Sequence, residues 1–182
     1  MTTIYLIRHG HAEAGWSEQR DPGLDDVGRR QAESAAQALS GQGPLPVVVS
    51  PMRRARETAH EFEMLWRRPA TVESRIAEIP SVGMTLIERE DWLKALTRCR
   101  WVELDESLQQ WRGDAIQSLL ELTADTVVVS HFMIINAVVS WAQGDERVVC
   151  CHPLQGSRTT LRRDGESFEV VEVGAQGLST VL

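Results

Sequence analysis

Residues 2–10 read Thr-Thr-Ile-Tyr-Leu-Ile-Arg-His-Gly, an apolar run that stops at an arginine, a histidine and a glycine. An unbroken apolar run of this length reads as a strand buried on both faces, the form that strands take in parallel sheets. The pattern recurs twice. Pro46-Val47-Val48-Val49 stops at Ser50-Pro51, and Thr126-Val127-Val128-Val129 stops at Ser130-His131. Each run passes into helical periodicity, so strand and helix alternate and the fold class is α/β: a three-layer α/β/α arrangement around a mostly parallel central sheet.

The helices between the strands are legible. Asp25 is a suitable N-cap, Ala32, Ala35, Ala36 and Leu39 follow at i, i+3, i+4 and i+7, and Gly41 is a stop signal. After the second strand, Ser50 is placed to cap a helix and Pro51 to take its first position, with Ala55, Ala59, Phe62 and Trp66 as the core stripe and Arg54 and Thr58 one turn apart beside it. Phe132 to Ala142 is apolar on nearly all sides before Gly144, as a buried helix would be. Residues 158–163 and 168–173, split by Asp164-Gly165, read as a hairpin. Residues 81–113 hold Trp92, Trp101 and Trp111 and lie across two expected helices, about 85–98 and 107–122. This region reads as a substrate-selecting cover, with tryptophans that fill its core.

Parallel strands place their carboxyl ends on one edge, and ligands of open α/β sheets bind there. That topology brings Arg8, His9, Ser50, Arg54 and His131 toward one crevice. Each residue has a plainer reading: Arg8 as a surface charge, Ser50-Pro51 as a helix start, His131 as a core histidine. Their joint occurrence, in order, on three strand ends points instead to a site for a tetrahedral dianion. Guanidinium forks match phosphate oxygens, and free backbone N–H groups at helix starts add partial positive charge.

On these stretches the chain resembles the histidine phosphatase superfamily, which includes cofactor-dependent phosphoglycerate mutases and many small phosphatases. The matching segments are Leu6 to Gly10, Asp21 to Leu24 with Gly28 and Gln31-Ala32, Ser50 to Ala55 with Thr58-Ala59, Arg75 to Ile79, and Val127 to His131. The resemblance implies a phosphoglycerate mutase-like fold and a phosphate pocket of Arg8, His9, Arg54 and His131. It also implies Glu78 as proton donor. Gly10, Ser50 and Glu13 complete the expected substrate-binding set, with Glu13 the substitute acid if Glu78 faces away. Three departures bear on the substrate: His11 stands where the family commonly has Glu, Gln or Asp, Phe132 where it has Gly, and Pro80-Ser81-Val82-Gly83 where it has Gly-Trp-Glu-Gly.

The expected reaction is phosphate-ester or phosphoprotein hydrolysis through a phosphohistidine on His9. A phosphomutase and a silent phosphate-binding module are the alternatives. A mutase needs a second anion grip, for which the cover offers Arg89, Lys94, Arg98, Arg100 and Arg112. A silent module should have lost the nucleophile or a pocket arginine, and this chain has lost neither. No metal is expected: His9 and His11 share an i, i+2 spacing but lack a carboxylate or thiolate at ligand spacing. No cofactor is expected either. His60 and His152 read as structural or exposed.

The 182 residues, 42% hydrophobic and 25% charged, suit one domain over 1–182 that buries about 70% of its unfolded surface without staples. Three cysteines without CxxC spacing argue against disulfide or zinc frameworks and fit a reducing compartment. The N-terminus lacks a signal-peptide pattern and no run reaches 18 apolar residues, so the expected location is cytoplasmic. A net charge of −7 disfavours nucleic acid and anionic membrane as partners, which leaves a local basic cluster at Arg53, Arg54 and Arg56 to hold a small phosphorylated substrate or phosphoprotein. The oligomeric state is open.

Overall fold

A computed structural model describes residues 1–15 and 18–177 of the chain. Six strands form one sheet: β1 (Thr2–Arg8), β2 (Val47–Val49), β3 (Thr71–Val72), β4 (Thr126–Ser130), β5 (Arg158–Asp164) and β6 (Ser167–Glu172), in the order β3-β2-β4-β1-β5-β6. The three expected apolar strands are adjacent and parallel. Arg8 pairs with Ser130 and Val49 with Val129, so all three carboxyl ends reach the same edge. β5 and β6 are the expected hairpin and add to the sheet antiparallel, with Gly165 at φ 60° in the turn. The two-residue β3 at the far edge is too short to leave a periodic signal.

Pleating sends alternate side chains to opposite faces, and each face is sealed by two helices. Ile7, Val47, Val49, Val127 and Val129 pack against α1 (Asp26–Ala38) and α2 (Arg53–Trp66) through Ala35, Ala36, Ala59 and Phe62. Ile4, Leu6, Val128 and Leu161 pack on the other face against α4 (Glu106–Leu120) and α5 (Phe132–Gln143) through Ile116, Leu119, Ile135 and Val138. This is the expected three-layer architecture. α5 is buried along most of its length and ends at Gly144 in the left-handed conformation, φ 66°.

Three local expectations need correction. α2 begins at Arg53, not Pro51, and its N-cap is Met52. The Ser50 hydroxyl bonds His131 Nε2 at 2.6 Å and accepts from the Met52 N–H at 3.3 Å, while the first helical N–H, that of Arg53, donates to the Asp21 carboxylate at 2.8 Å. Second, the cover helices are shorter than expected: α3 is Leu86–Leu96, started by a Thr85–Glu88 capping box, and α4 starts at Glu106 under an Asp105 cap. Trp101 is fully buried, and Trp92 and Trp111 pack beside it in a third apolar cluster with Leu93, Phe132 and Met133. That cluster clamps the cover to the start of α5. Third, Arg53, Arg54 and Arg56 do not form one basic cluster. Consecutive helix positions diverge by about 100°, so Arg54 is buried while Arg53 and Arg56 face outward. Among the described residues no helix is long and apolar enough to cross a membrane.

Candidate active site

The carboxyl edge of β1, β2 and β4 holds Arg8, His9, Ser50, Glu78, Arg54 and His131, all buried. A cavity of about 230 Å³ opens over Arg8, His9 and Arg54. A larger groove of about 420 Å³ runs along α2 past Arg53, Arg56 and His60 and touches the ends of β2 and β3, but none of the buried titratable groups lines it.

The conformation of His9 follows from its surroundings. Its backbone N–H donates to Ser130 O at 2.9 Å, which anchors the strand end. Its ring Nδ1–H donates to Gly10 O at 2.7 Å, and its Nε2 accepts from Arg54 Nε at 3.0 Å. A carbonyl only accepts and a guanidinium only donates, so these bonds select the tautomer with the lone pair on Nε2. Burial lowers the His9 pKa well below the ordinary histidine range, and Arg54 and then Arg8 lower it further.

Gly10 sits where the backbone of α1 comes close. A Cβ on Gly10 would strike the Gly28 carbonyl, and one on Gly28 would strike the His11 carbonyl. The Gly10 N–H donates to Thr58 Oγ1 at 3.0 Å, and that hydroxyl donates to Arg54 O at 2.8 Å, so the His9-Gly10 turn and Arg54 share one link.

Arg8 lies over the Phe132 ring at 5.0 Å and donates from Nη1 to Pro153 O at 2.8 Å. Burial brings its pKa down to about 10, with Glu78 opposing. His131 lies 5.1 Å from His9 between ring centroids, and its Nδ1 has no protein partner. Burial, then Arg54, holds its pKa well below the ordinary range.

Glu78 faces inward with its Oε1 accepting from the Ile79 N–H at 3.0 Å and its Oε2 unpartnered. Burial raises its pKa, and Arg54 and Arg8 work against that rise. Glu13 lines the cavity, but its carboxylate accepts from the Gly23 N–H at 3.0 Å and from Arg53 Nη1 at 3.2 Å. His11 pairs with Asp25 at 2.8 Å. His60 is exposed beside Glu63, and His152 packs against Phe132 with 6.0 Å between rings. Among the described residues, no group of three or more His, Cys, Asp or Glu side chains is placed to hold a metal.

Of the cover cations, Arg89 is buried and close enough to Glu78 and His131 to act on their ionisation. Lys94 pairs with Glu90 at 2.6 Å, Arg100 with Glu146, and Arg112 stacks over Trp101 at 4.3 Å; Arg98 is exposed. The described walls of the cavity come from residues 11–15, Glu18, Pro22 and Gln155, and Arg20 ties that wall to the cover by donating to Met84 O at 2.6 Å. Sequence reasoning missed this wall and the Pro153 carbonyl. A main-chain carbonyl has no residue signature, and the wall lacks periodicity.

A twisted sheet with two histidines and two arginines at its carboxyl edge defines a phosphate-handling α/β protein. The chain belongs to the histidine phosphatase superfamily (branch 1), whose profile matches residues 4–176. It is 28% identical over 153 residues to glucosyl-3-phosphoglycerate phosphatase of Mycolicibacterium vanbaalenii, covering 80% of this chain and 66% of that protein. It is 29% identical to a bifunctional protein of Mycobacterium tuberculosis, covering 99% of this chain and 52% of that one. The chain thus spans between half and two thirds of the length of these curated relatives. In fold it matches the mycobacterial glucosyl-3-phosphoglycerate phosphatase solved with vanadate, with a TM-score of 0.78 at 20% identity over 97% of this chain and all of that one.

Proposed function

We propose that this chain is a phosphatase that hydrolyses small phosphorylated metabolites or a phosphoprotein through a phosphohistidine on His9. The observation that carries the reading is the pair of hydrogen bonds on the His9 ring, which leaves a neutral imidazole with its lone pair on Nε2 beside an arginine fork. The family and the phosphatase relatives support it.

In this reading the phosphate dianion takes over the Arg54 donors, which frees Nε2 to attack phosphorus in line. The Nε2–P bond forms as the bond to the ester oxygen breaks, and Glu78 protonates that oxygen as it leaves. Arg8, Arg54 and His131 Nδ1–H stabilise charge on the three equatorial oxygens. Glu78, now ionised, takes a proton from water, the resulting hydroxide attacks phosphorus, and phosphate departs as Nε2 regains its lone pair. Glu13 is not needed as acid, since its carboxylate is engaged by Arg53 and Gly23.

No metal is assigned, because two arginines supply the positive charge that magnesium provides in other phosphoryl-transfer sites. Residues 81–113 act as the cover that selects the substrate, and the protein works in the cytoplasm. A mutase is disfavoured, since most cover cations are committed elsewhere and only Arg89 is turned toward the acid.

The test is a screen of phosphorylated metabolites and phosphopeptides for phosphate release in EDTA, with brief exposure to a labelled substrate and acid-versus-alkali stability of the trapped label. Release without metal, with an acid-labile and alkali-stable label absent from His9→Ala, is expected. Unaltered turnover by His9→Ala would overturn the reading.

A further inference from the structure

Cys150 and Cys151 lie in a short strap, residues 150–153, that is fastened at both ends. At one end the amide oxygen of Asn136, on buried α5, accepts from the backbone N–H groups of Cys150 and Cys151 at 2.8 and 3.0 Å. At the other, Pro153 O holds Arg8 Nη1 at 2.8 Å. The adjacent cysteines thus sit two residues from the only described contact that fixes an end of the Arg8 guanidinium by hydrogen bond.

The two thiols differ in the way a reactive pair requires. Cys151 is buried, with its thiol donating to Asn136 Oδ1 at 3.5 Å. Cys150 is only part-buried and lies within electrostatic reach of the Arg147 and Arg112 guanidiniums. The neighbouring Cys151 thiol lowers the Cys150 pKa, with a smaller push from Arg147, while burial and the Asp145 carboxylate oppose the fall; Cys150 and burial push Cys151 up. A part-exposed thiol of lowered pKa with a second, buried thiol adjacent to it has the arrangement of a peroxide-reactive cysteine and its resolving partner.

We propose that Cys150 and Cys151 form a redox-active pair that hydroperoxides oxidise to a vicinal disulfide, and that this releases Arg8 and lowers phosphoryl transfer. The Cys150 thiolate attacks the hydroperoxide; an S–O bond forms, the O–O bond breaks, and the alcohol or water leaves with the thiol proton. Cys151 sulfur then attacks Cys150 sulfur, so an S–S bond forms, the S–O bond breaks, and water leaves with the Cys151 proton. The two thiols lose two electrons and the O–O bond gains them.

Adjacent Cα atoms lie about 3.8 Å apart across a trans peptide, short of the roughly 4.4–6.8 Å that disulfides span. Ring closure therefore twists the 150–151 unit, which draws its N–H groups off Asn136 and shifts Pro153. A strained bond of this kind is readily reduced, so the change reverses with a thiol.

The activity half of the proposal rests on the phosphatase reading, and the chemical half does not. The full chain is treated with hydrogen peroxide, and the peptide spanning 150–151 is weighed alongside turnover of an aryl phosphate and calorimetric binding of vanadate. A loss of two hydrogens from that peptide is expected, with a fall of about tenfold to a hundredfold in vanadate affinity and turnover, the loss of one charged hydrogen bond. Dithiothreitol should restore all three. Cys151→Ala should stop at oxygen addition on Cys150, and Cys99→Ser should respond as the parent does. Absence of the two-hydrogen loss would overturn the pair, and so would full vanadate affinity in fully oxidised protein. Equal peroxide sensitivity of a Cys150→Ser/Cys151→Ala protein would also overturn it. A protein with no turnover before oxidation would refute the phosphatase reading, while the peptide mass would still decide the chemistry.

Discussion

Arg54 Nε donates to His9 Nε2 at 3.0 Å, so in the proposed reaction the cation for the phosphoryl oxygens and the lone pair for phosphorus hold one another before substrate arrives. The contact both prealigns the pair and keeps His9 neutral. Binding exchanges one acceptor for a better one, a dianion, at the same guanidinium.

Replacing Arg54 separates these roles. Arg54→Lys keeps a charge but loses the fork, and kcat should fall by about 10²–10³, the effect of removing one preorganised donor from a transition state. In Arg54→Gln burial and Arg8 still lower the His9 pKa but the Arg54 repulsion is gone, so His9 should take up a proton at higher pH than in the parent protein. Histidine NMR titration of the two proteins checks the direction.

Glu78 should reveal itself through the leaving group. Glu78→Gln should lose about 10²–10⁴-fold on an alkyl phosphate and far less on an activated aryl phosphate, whose leaving group departs without a proton. Equal losses on both would remove Glu78 from the acid role. In the parent, turnover of alkyl phosphates should decline as pH rises through the raised Glu78 pKa, because the protonated form is consumed.

The same group predicts a stability change. Its folded pKa lies above the unfolded value, so its favourable contribution is complete below the unfolded carboxyl range, near 4.3, and is lost as pH rises through the folded pKa. Above the unfolded carboxyl range the buried group is therefore a burden. Glu78→Gln should raise the melting temperature at pH 7, and the gain should shrink toward pH 4, as calorimetry across that range would read.

His9 and His131 titrate in the opposite sense. Both folded pKa values are depressed, so the stability they confer is present above the unfolded histidine value, about 6.5, and is lost as pH falls through their folded values. Their ring resonances should stay at the neutral position from pH 7.5 to about 6.5. A protonation midpoint at or above 6.5 for either ring would contradict the buried, arginine-flanked environment.

Gly28 meets main chain where a side chain would have to fit. Helix propensity alone would favour Gly28→Ala by about 1 kcal/mol, but the new methyl meets the His11 main chain, which cannot turn aside as a side chain can. Overpacking of about 1–3 kcal/mol should prevail, lowering the melting temperature by about 2–4 °C per kcal/mol and loosening the Gly10 turn. Thermal unfolding with turnover measured alongside gives the answer. A more stable, fully active Gly28→Ala would show that α1 can move off the strand end.

The sequence by itself determined the parallel strands, the helices that cover them and the edge where chemistry collects, because strand burial and helix periodicity are local patterns. Ile4 to Ile7 and Val127 to Val129 are apolar since both faces are covered, and His9 and His131 follow them wherever the sheet goes. It also marked Arg54, through its place after the second strand, while Glu78 was marked only by the resemblance to the family. What needed the tertiary structure was everything set by distance between remote segments. Ser50 reaches His131 as well as the turn that leads into α2; Arg53 turns to Glu13 and Glu57; Arg89 comes in from the cover; and the Pro153 carbonyl reaches Arg8 across 145 residues. Hydrogen bonds fall off within a fraction of an ångström, whereas periodicity reports only which way a side chain faces, so partners of this kind emerge only when the chain is folded.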